Sequence, residues 1–148
     1  MSFLSSCGQQ SFDEMLDELL SHTVTEVKPS ELKASKVQFL DARETEEFKI
    51  SHIPGAKHIG YNNFNLELLS GIKKDTPIVV YCSVGYRSEK ISEKLIESGY
   101  TNVRNLYGGI FLWKDAGFEV VDENGPTERV HTYSEKWSKW LKSGNKVW

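Results

Sequence analysis

The stretch Ile78-Val79-Val80-Tyr81-Cys82-Ser83-Val84-Gly85-Tyr86-Arg87-Ser88 passes from an apolar run through a cysteine into a glycine-containing turn. Ile78 to Tyr81, β-branched apart from the tyrosine, has the composition of a strand. Ser88 to Ser98 reads as a helix with Ile91, Leu95 and Ile96 inward and Gly99 as its stop. Cys82 is therefore expected where a strand gives way to a helix N-terminus. Successive backbone N–H groups of such a turn can form a concave nest, and the helix end adds partial positive charge. Arg87 adds a full charge, and Gly85 suits the conformations a tight loop demands. These surroundings favour negative charge on sulfur, and the thiolate is the reactive form of cysteine. On position alone, Cys82 is equally readable as a small buried hydrophobe.

Working outward, short apolar runs alternate with helical stretches from Val24 onward. Val24 to Val27, Val37 to Leu40, Ala56 to Ile59, Ile78 to Tyr81 and Val103 to Leu106 are expected strands. Helical turns are expected from Pro29-Ser30, around Glu44 to Ile50, and from Gly108-Gly109 through Trp113. This alternation requires crossover connections. It predicts an α/β domain of three layers, with a central, mostly parallel five-stranded sheet and helices on both faces. Ligands of such sheets bind beyond the carboxyl ends of the strands, where Cys82 falls.

The chain divides accordingly. Residues 1–10 form a Ser/Gly/Gln-rich leader expected to be disordered. Residues 11–23 hold a helix, opened by a capping box at Ser11 and Glu14 and striped by Phe12, Met15, Leu16, Leu19 and Leu20. Residues 24–121 are the main domain. The segment Asp122-Glu123-Asn124-Gly125-Pro126 reads as a linker or turn. In the extension over 122–148, Tyr133, Trp137, Trp140 and Leu141 lie at helical spacing, as expected of an aromatic helix packed on the core; a partner surface is the sharper alternative.

With 148 residues, 39% hydrophobic and 26% charged, the chain is long enough for one core. Its formal charge of −3 gives no support for a nucleic-acid partner. No apolar run approaches the roughly 20 residues of a membrane helix. Cys7 and Cys82 lie in unlike settings, so they suggest neither a disulfide framework nor a metal site. As written the sequence reads as cytoplasmic. Leu4-Ser5-Ser6-Cys7 resembles a lipoprotein processing box, so a lipid-anchored envelope protein is the alternative if Cys7 is a lipoprotein cysteine.

Cys82-Ser83-Val84-Gly85-Tyr86-Arg87-Ser88 resembles the active-site loop of rhodanese-type sulfurtransferases. Leu40-Asp41-Ala42-Arg43-Glu44, then Glu47-Phe48 and Ser51-His52-Ile53-Pro54-Gly55-Ala56, is similar to that family's first signature. Val103 through Leu106, Tyr107-Gly108-Gly109-Ile110, Trp113 and Gly117-Phe118 resemble its closing one. The resemblance covers about residues 24–121 and implies a rhodanese-like fold. It also implies transfer of sulfane sulfur from thiosulfate or a related persulfide donor, through a Cys82 persulfide, to cyanide or a thiol, a protein thiol included. Cys82 would be the nucleophile and Ser83, Val84, Gly85, Tyr86, Arg87 and Ser88 the substrate loop. Arg87 would face the donor's sulfonate, and Asp41 and Arg43 would support the loop or form an ion pair fixing its turn. No metal or organic cofactor is implied, and His52 reads as structural.

Two other functions fit the same residues less well. A sulfur-carrier or interaction module without turnover is one alternative; interaction modules of this fold commonly lack the cysteine, which is retained here with Gly85 and Arg87. Cysteine phosphatases and arsenate reductases of related design place arginine six residues after the cysteine. Here Arg87 stands five after Cys82 and Ser88 holds the sixth position.

Overall fold

A computed structural model describes residues 9–32 and 35–148. Cys7 and most of the leader lie outside them. Five strands form the central sheet: β1 (Glu26–Val27), β2 (Gln38–Asp41), β3 (Lys57–His58), β4 (Ile78–Tyr81) and β5 (Val103–Leu106). Their spatial order is β1-β5-β4-β2-β3, and every pairing is parallel. The expected α/β sheet is present. The strands at 24–27 and 56–59 are shorter than the sequence suggested, two residues each. Both are edge strands with a single neighbour, so little ladder holds their ends.

All four residues of β4 are buried. Side chains alternate across a strand, so β4 feeds two cores. Ile78 and Val80 join Leu40, Ile91, Leu95 and Val103 under helix α3 (Tyr86–Glu97). Val79 and Tyr81 join the opposite cluster with α1 (Phe12–Leu19) and α4 (Gly109–Asp115). Helices therefore cover both faces. Helix α2 (Thr45–Ile50) follows closely on β2.

Helix α3 begins two residues before the expected start. Gly85, at φ 128°, is its N-cap, so Tyr86, Arg87 and Ser88 form its first turn. Ile96 is exposed rather than inward. The buried stripe runs Ser88, Ile91, Ser92, Leu95 in steps of three and four, and Ile96 falls just past its edge.

The segment 122–126 is the turn of a hairpin, in which β6 (Val120–Asp122) pairs antiparallel with β7 (Gly125–Thr127). The extension beyond it departs from an aromatic helix. Strands β8 (Arg129–His131) and β9 (Asn145–Val147) form a parallel ribbon around α5 (Glu135–Ser138), a single turn. Of the spaced aromatics only Trp137 lies in α5. Tyr133 has φ 73°, outside the helical region, and Ser134 caps the turn with its hydroxyl. Val130 and Leu141 are fully buried, and Trp137 and Trp140 pack on the core from its margin.

Candidate active site

Cys82 directly follows β4, with 1% of its surface exposed. Gly85 N–H donates to its Sγ at 3.2 Å. The first-turn N–H groups of a helix have no acceptor within it. Helix α3 therefore turns its electropositive end toward the sulfur.

Two further elements hold this loop. From below, α4 sends Ile110 N–H to Cys82 O (3.0 Å) and Phe111 N–H to Ser83 O (3.2 Å). A Cβ at Gly109, where φ is +58°, would overlap the Ser83 carbonyl and lie 2.6 Å from Cys82 O. This is the close packing that the Gly108-Gly109 pair allows. From the side, Asn105 of β5 donates its Nδ2–H to Gly85 O at 3.0 Å. Its Oδ1 then faces Ser88, whose hydroxyl lies 2.6 Å from it and 3.4 Å from Cys82 Sγ. One hydroxyl proton serves both acceptors, and the shorter contact is to Asn105. The expected sequence signal for Asn105 is a polar residue inside a buried strand, which the apolar reading of 103–106 passed over.

Arg87 lies on the loop's outer wall, but its guanidinium meets an acid from α2. Its Nη1 and Nη2 donate to the two Glu47 carboxylate oxygens at 2.8 and 2.9 Å, and Nη2 also reaches Ser83 Oγ at 3.0 Å. Glu47 is nearly fully buried, and it caps its own helix by accepting from Glu44 N–H. Burial alone would raise the Glu47 pKa. The Arg87 hydrogen bonds and charge outweigh it, and Arg43 adds to them, so Glu47 stays below its ordinary 4.5. Burial likewise would lower the Arg87 pKa, but the hydrogen bonds to Glu47 and its negative charge hold it up.

A depressed carboxylate contributes stability above its unfolded value and loses that contribution as pH falls through the folded one. Glu47→Gln is therefore expected to cost roughly 2 kcal/mol at neutral pH, the scale of a charged hydrogen bond. The variant's deficit should shrink as pH falls below about 4.5. Urea melts of both proteins across this range would check it; a deficit independent of pH would exclude the pair as its source.

Asp41 and Arg43 are both fully buried and form a forked pair: Nε to Oδ1 at 2.9 Å and Nη2 to Oδ2 at 2.6 Å. Arg43 Nη2 also donates to Ser51 O at 2.7 Å, and its guanidinium lies over the Tyr81 ring. Neither residue lines the cleft above Cys82. They tie the end of β2 to the 51–56 turn, matching the ion-pair alternative. Tyr81, pushed up by burial and by the Asp41 charge, accepts Ile53 N–H from that same turn. His52 stacks on Phe48 and shares a hydrogen bond with Phe48 O at 2.9 Å, away from the sulfur.

Above Cys82 opens a cleft of about 470 Å³. Ser83, Val84, Tyr86 and Arg87 of the expected loop line it, together with Leu19 from α1 and Tyr133 and Trp137 from the extension. Gly85 and Ser88 hold the sulfur from behind. The two extension aromatics were expected on the core, and their place beside the cysteine follows from the β8–β9 ribbon, which the sequence did not disclose. Among the described residues no helix is long and apolar enough to cross a membrane.

The chain is similar to several known proteins. Thiosulfate sulfurtransferase GlpE of Pseudomonas aeruginosa is 30% identical over 98 residues, covering 64% of this chain and 88% of that protein. Protein HIGH ARSENIC CONTENT 1, mitochondrial, of Arabidopsis thaliana is 31% identical over 121 residues, covering 70% and 72%. The crystal structure of a rhodanese-related protein from Thermoplasma volcanium matches with a TM-score of 0.60 at 27% identity, over 67% of this chain and 99% of that one. The family model of the rhodanese-like domain matches residues 25–116, and the chain belongs to that family.

Proposed function

We propose that the protein is a sulfurtransferase in which Cys82 carries sulfane sulfur as a persulfide. One observation carries this reading: Cys82 Sγ sits at the base of an open cleft, accepting Gly85 N–H at 3.2 Å before the N-terminus of α3. In the first half-reaction the Cys82 thiolate attacks the outer sulfur of thiosulfate or a related persulfide. The donor's S–S bond breaks and its electron pair leaves with sulfite or a thiolate. In the second, an acceptor thiolate or cyanide attacks the outer sulfur of the persulfide, and the pair returns to Cys82. Both states place negative charge where Gly85 N–H and the N-terminus of α3 are already aimed, which is preorganised electrostatic stabilisation.

Arg87 is assigned first to holding the loop, because three of its hydrogen bonds are spent on Glu47 and Ser83. A donor sulfonate would have to share it with Glu47. Asp41 and Arg43 are assigned to fixing the turn beneath the loop. The name of the Arabidopsis relative mentions arsenic, which brings the oxyanion chemistry of related cysteine loops into consideration. Against oxyanion chemistry stands the spacing of Cys82 and Arg87, one residue short of the arginine position such loops use.

The test is intact mass after incubation with thiosulfate. One added sulfur on Cys82, removed by cyanide or a thiol with release of thiocyanate or a new persulfide, is expected. Absence of the adduct with thiosulfate and with organic persulfides alike would leave a module without turnover as the better reading.

A further inference from the structure

The wall of the cleft farthest from the sheet is built by residues outside the matched span 25–116. Leu19 comes from α1, while Tyr133 and Trp137 come from the extension. With Tyr61, Val84 and Tyr86 they make the lining above Cys82 largely apolar, and four of these side chains are aromatic. The cleft's volume lies within the roughly 300–1,000 Å³ typical of sites for small organic molecules. Inorganic thiosulfate or cyanide would fill little of it.

Charge points the same way. Arg87 is the cationic residue of the lining, and Glu47 closes on it at 2.8 Å while Glu44 lines the same cleft. A multiply anionic acceptor would meet the Glu44 carboxylate and a guanidinium already committed to Glu47.

Tyr133 is held at some cost. A bulky residue at positive φ is strained, and such strain is retained where surrounding contacts fix it. Tyr133 N–H donates to His131 Nδ1 at 3.0 Å, and Ser134 N–H to Thr132 O at 2.8 Å. The ring nevertheless projects outward, 57% exposed, and lies over the Arg87 guanidinium at 5.2 Å. Packing of the core does not call for this placement, and Trp137 stands beside it on the same wall.

The geometry points to an acceptor thiol with an apolar, aromatic body, for which Tyr133 and Trp137 form the specificity-determining subsite; this rests on the sulfurtransferase reading above. The acceptor thiolate attacks the outer sulfur of the Cys82 persulfide. The bond between that sulfur and Cys82 Sγ breaks, its electron pair stays on Cys82, and the product leaves as an aralkyl persulfide. Body and subsite stack while the reacting sulfurs meet over the Gly85 N–H.

The experiment loads native protein with thiosulfate and measures discharge by phenethyl thiol and by hydroxyethyl thiol. Each rate is divided by the same thiol's rate with a free cysteine persulfide. The aromatic thiol is expected to be favoured by about tenfold, the scale of one aromatic contact with its buried area. That ratio should fall toward unity in Tyr133→Ala and in Trp137→Ala. Trp137→Phe, which preserves the packing, should retain most of it, so a loss through misfolding is recognised. A ratio near one in the native protein, or one unchanged in both alanine variants, overturns the inference.

A second measurement separates this inference from the reading it rests on. Cys82 is labelled with S-benzyl and S-hydroxyethyl methanethiosulfonates and followed at the Cys82 peptide. The thiolate attacks the sulfenyl sulfur, the S–S bond breaks and methanesulfinate departs with the pair, so no sulfur transfer is needed. A benzyl preference that Trp137→Ala abolishes supports the subsite even if thiosulfate never loads the protein. Equal labelling, in a protein that does load and discharge sulfur without preference, sinks the subsite alone.

Discussion

Cys82→Ser is expected to reduce thiosulfate:cyanide sulfur transfer by at least a factor of about a thousand, as loss of a nucleophile does in other covalent enzymes. The fold should survive. Cys82 is buried, and a serine hydroxyl can accept from Gly85 N–H as the sulfur does. The stability change should stay near 1 kcal/mol, within the ordinary range for a single substitution. Thiocyanate formation and a thermal melt on the same preparation would check both halves. Turnover close to that of the native protein would remove Cys82 from the mechanism. Aryl phosphate hydrolysis by the native chain, abolished by this substitution, would instead show that the loop accepts oxyanions despite its length.

Gly109→Ala is expected to cost about 2–4 kcal/mol of stability and most of the activity. Two effects combine. The position has φ +58°, unfavourable for a residue with a Cβ, and that Cβ would strike the backbone of Ser83 and Cys82. Backbone cannot rotate aside as a flexible side chain can, so α4 or the loop must move. Either shift weakens Ile110 N–H to Cys82 O and Phe111 N–H to Ser83 O, which position the nucleophile. Urea denaturation with a parallel activity assay provides the comparison. Gly99→Ala is the control: its φ is also positive, but a Cβ there meets nothing within 4 Å, so its penalty should be smaller and activity kept.

Much of this arrangement could be read before any coordinates. The Ile78–Tyr81 strand, the glycine turn and the helix after it follow from local composition, and local composition decides such elements. Four residues mark where that reasoning runs out. Glu47 lies within the quoted signature, yet nothing local says that its carboxylate spans forty positions to meet Arg87. Asn105 looks like an interruption in an apolar strand until β5 is placed beside Gly85. Tyr133 and Trp137 share helical spacing with Trp140 and Leu141, and that spacing misleads because the backbone turns at Tyr133. Pairing of β8 with β9, sixteen residues apart along the chain, sets their direction. Each of these depends on a distant partner.

The core cluster on the α1 side of the sheet has a consequence for how the protein can be cut. Its members include Met15, Leu16 and Leu20 before the matched span and Val120, Val130 and Leu141 after it, packed with Val79, Phe111 and Ile110 within. Ser21 and His22 N–H groups also clasp the buried Glu89 carboxylate at 2.9 and 2.8 Å, joining the first helix to the helix that faces the cysteine. A fragment trimmed to residues 25–116 would carry the whole reactive loop but strip one face of the sheet to water, leaving a broad apolar patch that favours self-association. The span matched by the family model is thus smaller than the span that builds this core, and a transplant of the loop into another protein is expected to need both flanks.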